Sequence, residues 1–153
     1  LRIAGVPVGQ HLQETEPGHE PSSDGDNGSI IIVVATDAPL LPQQLDRIAK
    51  RAGLGLARMG SFAGNGSGDI FVAFSTANAK AMGGAVILGA EFLDNGCLDL
   101  LFEATAQATE EAIVNAMVAA RDMQGEGGRS ATALPHDALV NLLRDYGRAS
   151  TPR

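Results

Sequence analysis

The chain has 153 residues, 44% of them hydrophobic, with no Trp and a single Tyr. That is enough for one domain with its own core, since domains commonly run about 100–150 residues. Its 18 acidic and 11 basic residues give a net charge of −7, which makes a nucleic-acid backbone a poor partner, because neutralising phosphates needs clustered Lys and Arg.

The nearest basic grouping, Arg47, Lys50, Arg51 and Arg58, falls on one helical face and reads as solvated. The single cysteine, Cys97, excludes an intrachain disulfide. With no Cys or His at ligand spacing it reads as a buried or incidental thiol. The longest apolar run, Ile30 to Ala35, falls far short of the ~18 residues a membrane span requires, so no membrane association is expected. No signal peptide is expected, and a first residue of Leu rather than Met points to further sequence upstream.

In chain order, Leu1 to Val8 alternates weakly and predicts a short strand broken by Gly5 and Pro7. Gly9 to Gly28 is acidic and rich in Gly, Pro and Ser, with almost nothing to bury. Such a stretch cannot offset its own ordering entropy and is expected to be a mobile linker. Twenty structureless residues in a compact domain point to a functional or processed segment. The β-branched run Ser29 to Thr36 then predicts a strand buried on both faces. Pro42 suits a first helical turn, and Leu45, Ile48, Ala49, Ala52 and Leu56 recur at helical spacing, with Gly53 and Gly55 weakening the end of that helix. A glycine-rich turn, Gly60 to Gly68, leads into a second buried strand, Asp69 to Thr76. Gly83 to Asn95 is ambiguous between a short strand and a loop. Leu98 to Met123 predicts the longest helix, with Leu101, Phe102, Thr105, Ala108, Ala112, Ile113, Ala116, Met117 and Ala120 on its apolar face. Gly125 to Ser130 reads as a loop, and Pro135 to Tyr146 as a last helix with Leu139, Leu142 and Leu143 inward. Helices layered on a sheet with too few strands imply that something else supplies the missing strands.

Two segments offer chemistry. Ser29 stands where the acidic linker meets the rigid strand, preceded by Asn27 and Gly28. It is either simply the first residue of the strand or a positioned nucleophile. On the second reading, its hydroxyl attacks the Gly28 carbonyl, which no side chain shields. Hydrolysis of the ester so formed frees the Ser29 amine. A new α-amine has a reference pKa of about 7.7–8.0, so it can accept a proton near neutrality and activate the hydroxyl of its own residue.

The second segment, Gly64-Asn65-Gly66-Ser67-Gly68-Asp69, has glycine at three of six positions, which signals unusual backbone geometry or close approach of another group. It lacks the Lys-Ser/Thr ending of a phosphate-cradling loop. It is either a plain strand-entry turn or the source of a relay in which Asp69 orients the Ser67 hydroxyl toward a nucleophile. Alternation puts residues 67 and 69 on one face if the strand begins that early. His11 and His19 fall in the linker and His136 near a helix start, so no Ser-His-Asp arrangement is assembled. Asp37 and Asp99 read as turn and helix-start residues.

Three blocks carry a resemblance: Gly28 to Leu40, Gly64 to Phe71 with Ala73 to Asn78, and Leu101 to Ala104. Together they resemble the L-aminopeptidase/D-esterase family of self-cleaving N-terminal-serine hydrolases, which includes D-amino-acid-amide and β-peptidyl aminopeptidases. The resemblance covers the whole chain but only the later part of a family precursor. It implies an α+β fold, an αββα sandwich similar to N-terminal-nucleophile hydrolases with different strand connectivity. It implies a cut at Gly28–Ser29, with residues 1–28 ending the α chain and residues 29–153 forming the β chain. Ser29 is then the nucleophile and Ser67 with Asp69 its supporting pair. Some members carry Glu at the position of Asp69, and the shorter Asp requires a closer approach. The family's oxyanion-stabilising Asn and assisting Tyr belong upstream of Leu1. An oxyanion donor is worth about 3–4 kcal/mol, so the chain alone is expected to be nearly inactive.

The expected activity is release of N-terminal residues from short peptides, amides or esters through an acyl-enzyme on Ser29. No metal or organic cofactor is implied. The expected partners are the α chain of the same precursor, further αβ units in a homo-oligomer, and a small peptide or amide substrate. Two alternatives are a self-processing acyltransferase of the ornithine acetyltransferase type, which uses Thr as its nucleophile, and a non-catalytic subunit in which Ser29 stays uncut.

Overall fold

A computed structural model describes residues 1–12, 28–79, 84, 86–126 and 130–149. The elements are α1 (Val8–Leu12), β1 (Ile31–Thr36), α2 (Pro42–Arg58), β2 (Ile70–Ser75), α3 (Leu98–Ala119), β3 (Met123–Gln124), β4 (Ser130–Ala131) and α4 (His136–Asp145).

β1 and β2 pair in parallel with Ile31 opposite Ile70 and Thr36 opposite Ser75, and α2 connects them. Parallel neighbours require such a crossover, because a tight hairpin would reverse the second strand. The inner side chains of the pair, among them Val34 and Ala73, pack on a cluster built from Leu40, Ile48 and Leu98. Their outer side chains are not covered: Ile31 is 69% exposed, Val33 59% and Val72 46%. The expectation of strands buried on both faces is therefore half met within this chain. The β-branched run was read for both faces, and the described residues cover only one.

α2 starts on Pro42, where a missing amide costs nothing. The buried Gln44 accepts the Leu41 N–H (3.0 Å) and donates to the Leu93 carbonyl (2.8 Å) and to Asn95 Oδ1 (3.1 Å), tying the loop before α3 to the helix start. The helix does not weaken at its glycines. It runs through both to Arg58, because the space there belongs to neighbours. A Cβ on Gly55 would lie 2.5 Å from the Ala106 carbonyl oxygen and 2.7 Å from Thr109 Cβ, and one on Gly53 would lie 3.2 Å from the Phe71 ring. α3 accordingly turns Leu98, Thr105, Ala106 and Thr109 inward. Ala108, Ala112 and Ala116 are exposed, a correction to the apolar face expected of that helix. The hydroxyls of Thr105 and Thr109 are satisfied by carbonyls one turn back, at 2.6 and 2.8 Å.

The first residues form a knot rather than a strand. Ile3 and Val6 exchange backbone hydrogen bonds (3.1 and 2.9 Å) across a turn in which Ala4 and Gly5 take positive φ. Gly9 to Leu12, expected in the linker, lie in α1, and residues 13–27 of that linker lie outside the described residues. Of the ambiguous segment, residues 84 and 86–94 form no strand. The loop expected after α3 is flanked by a two-residue antiparallel ladder, β3 with β4. α4 turns Leu139, Leu142 and Leu143 inward as its spacing predicts. Cys97 is exposed, which removes the buried alternative and leaves the incidental thiol. Two members of the basic group are not simply solvated: Arg51 and Arg47 stack over Phe102 at 3.8 and 5.0 Å from the ring centre. Arg58 pairs with Glu110 at 3.1 Å.

Candidate functional site

The two segments singled out in the sequence, 39 residues apart, meet at the entrance to the parallel strand pair. The Gly68 N–H donates to Ser29 Oγ at 2.9 Å. The Ile30 N–H donates to Asp69 Oδ1 at 3.0 Å, and the Ile30 carbonyl accepts the Ile70 N–H at 2.9 Å. Residue 30 is thus held at both of its backbone polar groups, and Ser29 hangs one peptide ahead of that anchor. Gly28 and Ser29 are exposed, so the bond between them is accessible to water.

Gly68 explains why the loop is glycine-rich at this point. A Cβ there would sit 3.3 Å from Ser29 Oγ, closer than a side chain normally settles. An amide hydrogen aimed at a hydroxyl oxygen fixes that oxygen's position and favours negative charge on it, while leaving the hydroxyl's own proton for another acceptor. The role of this N–H was not anticipated, although the glycine pattern signalled close approach of another group.

Ser67 and Asp69 precede β2, which begins at Ile70, so the one-face argument from strand alternation does not apply. A turn presents them instead, closed by the Ser67 N–H on the Gly64 carbonyl at 2.9 Å, with Ala63 at positive φ just before it. Both side chains are half-buried. Among the described residues the Asp69 carboxylate is engaged by the Ile30 amide rather than by the Ser67 hydroxyl, and its second oxygen receives no donor. The histidines stand apart. His11 Nε2 lies 2.9 Å from the Tyr146 hydroxyl, in α1 rather than in a loop, and His136 Nε2 lies 2.9 Å from the Val118 carbonyl oxygen. His19 lies outside the described residues. Among the described residues no group of three or more His, Cys, Asp or Glu could hold a metal ion, and no helix is long and apolar enough to cross a membrane.

Fold and site together define a mixed α/β half-layer, helices on one face of a parallel strand pair, with an anchored serine at its entrance. The model of peptidase family S58 matches residues 1–131, and the chain belongs to that family. It is 49% identical to the β-peptidyl aminopeptidase BapA of Sphingosinicella microcystinivorans, over all of this chain and 41% of that protein. Among solved structures, a protein from Pyrococcus horikoshii OT3 superposes with a TM-score of 0.84 at 50% identity, covering 97% of this chain and 39% of the other. The L-aminopeptidase D-Ala-esterase/amidase of Ochrobactrum anthropi, described as a new variant among the Ntn hydrolase fold, gives 0.82 at 44% identity, with 98% and 40% covered. The chain therefore has the fold expected from its resemblance and spans about two fifths of the length of these relatives. Membership of a peptidase family gives no support to the acyltransferase alternative.

Proposed function

We propose that this chain is the nucleophile-bearing part of a self-cleaving serine aminopeptidase, cut between Gly28 and Ser29. The observation that carries the reading is the Gly68 N–H on Ser29 Oγ, in the residue directly after the exposed Gly28. In the first reaction Ser29 Oγ bonds to the Gly28 carbonyl carbon. The C–N bond to Ser29 breaks, and its nitrogen takes a proton. Water then hydrolyses the ester, leaving a Gly28 carboxylate and a free Ser29 amine. In the second reaction the same oxygen attacks the carbonyl of a substrate's first residue. The hydroxyl proton passes to the Ser29 amine or through Ser67, and on to the departing amine. Water releases the acyl group.

Asp69 holds residue 30 through one carboxylate oxygen and offers the other to the Ser67 hydroxyl once a substrate or the new amine reorders the site. Residues 1–28 then end an α chain, residues 29–153 form the β chain, and the remaining strands and oxyanion donors come from upstream. Short peptides, amides and esters are the substrates, without metal or organic cofactor, and αβ units assemble into a homo-oligomer. BapA and the Ochrobactrum enzyme, by their names, support this choice of substrate class.

The test uses the full-length precursor. Intact mass should show two chains, the second beginning at Ser29, and Ser29→Ala should leave one uncut chain without turnover. A cleaved, active alanine variant would sink the proposal.

A further inference from the structure

We infer that residues 1–12 are a built-in clamp by which the upstream chain grips the downstream one after the cut; the inference rests on cleavage at Gly28–Ser29. While the chain is continuous, the contacts of this segment are internal. Once that bond is broken, each contact the segment makes with α2, α3 or α4 joins two polypeptides.

The contacts are those of a core, not of a tail. Val8 is 0% exposed and Val6 1%, and with Ile3 they form one cluster with Met59 at the end of α2 and Leu139 of α4. Ile113 and Val114 of α3 and Leu142 of α4 close around them. The backbone engages as well: the Arg2 N–H donates to the Met59 carbonyl at 2.8 Å. Gly60, at φ +104, lets the chain pass with the Arg2 and Leu1 nitrogens 3.6 Å from where a Cβ would lie. At the rim, His11 Nε2 meets the Tyr146 hydroxyl at 2.9 Å, the two rings edge to face. The segment thus carries an apolar centre, a backbone hydrogen bond and a polar rim, the anatomy of a protein–protein interface. It needs no rearrangement to become one.

The experiment takes the cleaved full-length protein, with cleavage verified by intact mass, and measures chain dissociation on dilution into a urea series by native mass spectrometry. Removing two buried carbons from a fully enclosed Val weakens a contact about tenfold. Val6→Ala and Val8→Ala should each raise the dissociation constant about tenfold, and the pair about a hundredfold. The uncut Ser29→Ala precursor carrying the same pair should stay a single species at every dilution. Alanine keeps the site apolar, so folding of the precursor survives. Two chains that separate at the same urea concentration with and without the alanine pair would overturn the clamp while leaving the cleavage reading intact. A single uncut mass in the unsubstituted protein would overturn the cleavage reading and the clamp with it.

Discussion

Asp69 performs one task visible in the geometry and a second proposed from chemistry, and substitutions separate them. The visible task is to accept the Ile30 N–H at 3.0 Å. A hydrogen bond to a charged group is worth about 1.5–3 kcal/mol net. Ile30 is only half-buried, so water recovers part of the loss, and Asp69→Ala should cost about 1–2 kcal/mol. With a urea slope of about 2 kcal/mol/M, the unfolding midpoint of the uncut precursor falls by about 0.5–1 M. Asp69→Asn presents a neutral oxygen at the same place, and neutral bonds are roughly half as strong as charge-assisted ones. Its midpoint should move by less than about half as much. The proposed task requires charge, and proton transfer by a positioned group contributes about 10²–10⁴-fold. Both variants should therefore slow self-cleavage and turnover of an aminoacyl p-nitroanilide by about that factor. Asp69→Glu, which keeps the charge and adds one methylene, should stay within about tenfold of the parent. The assay is single-turnover cleavage followed by gel, beside steady-state kinetics and urea melts on the same samples. If Asp69→Asn cleaves and turns over at the parental rate, the carboxylate only anchors the strand, and the relay through Ser67 is wrong.

For Gly68→Ala, the amide is kept but a methyl arrives 3.3 Å from Ser29 Oγ. A misplacement of 1 Å costs about 10²-fold, so a displacement of a few tenths should slow cleavage about three- to tenfold with the melt unchanged, and an unaltered rate would show that Oγ is not held there during reaction. Gly55→Ala sets helix propensity, a gain of about 1 kcal/mol, against overpacking at the α2–α3 crossing, a loss of about 1–3 kcal/mol. With Ala106 O 2.5 Å from the new Cβ the loss should win, since the clash is with backbone that cannot swing aside; a raised urea midpoint would refute the close crossing.

How much could be read beforehand depended on whether the deciding contact was local. Pro42 and the Leu/Ile spacing that follows mark α2 because helix starts and faces are local properties. Its continuation through Gly53 and Gly55 is not local: Phe71 and Ala106 decide it, and both are distant in sequence. The same crossing turns Ala106 and Thr109 inward on α3, where an Ala-rich helix offers several nearly equivalent faces and composition cannot choose among them. At the site, apolar periodicity put Ser29 and the 64–69 loop each at the start of a strand, and their pairing was implied by the family resemblance alone. The donor that holds Oγ was not legible, since a backbone N–H has no letter of its own. The knot at residues 1–12 was misread for a related reason. Alternating apolar residues suit a strand, but Ala4 and Gly5 at positive φ fold them back on themselves and still bury Ile3, Val6 and Val8.

The outer side of the β1–β2 pair, with Ile31, Val33, Ile70, Val72 and Phe74 all open to solvent, has a consequence for how such a molecule must be made. Bare strand surfaces of this kind stick to one another when left waiting. Ribosomes deliver a polypeptide from its amino end, so under the proposed organisation the covering layer emerges first and these strands fold directly onto it. Severing the bond before Ser29 is safe only afterwards. Expressed separately, the piece bearing Ser29 should collect in inclusion bodies; produced in a single translation with its other part, it should not.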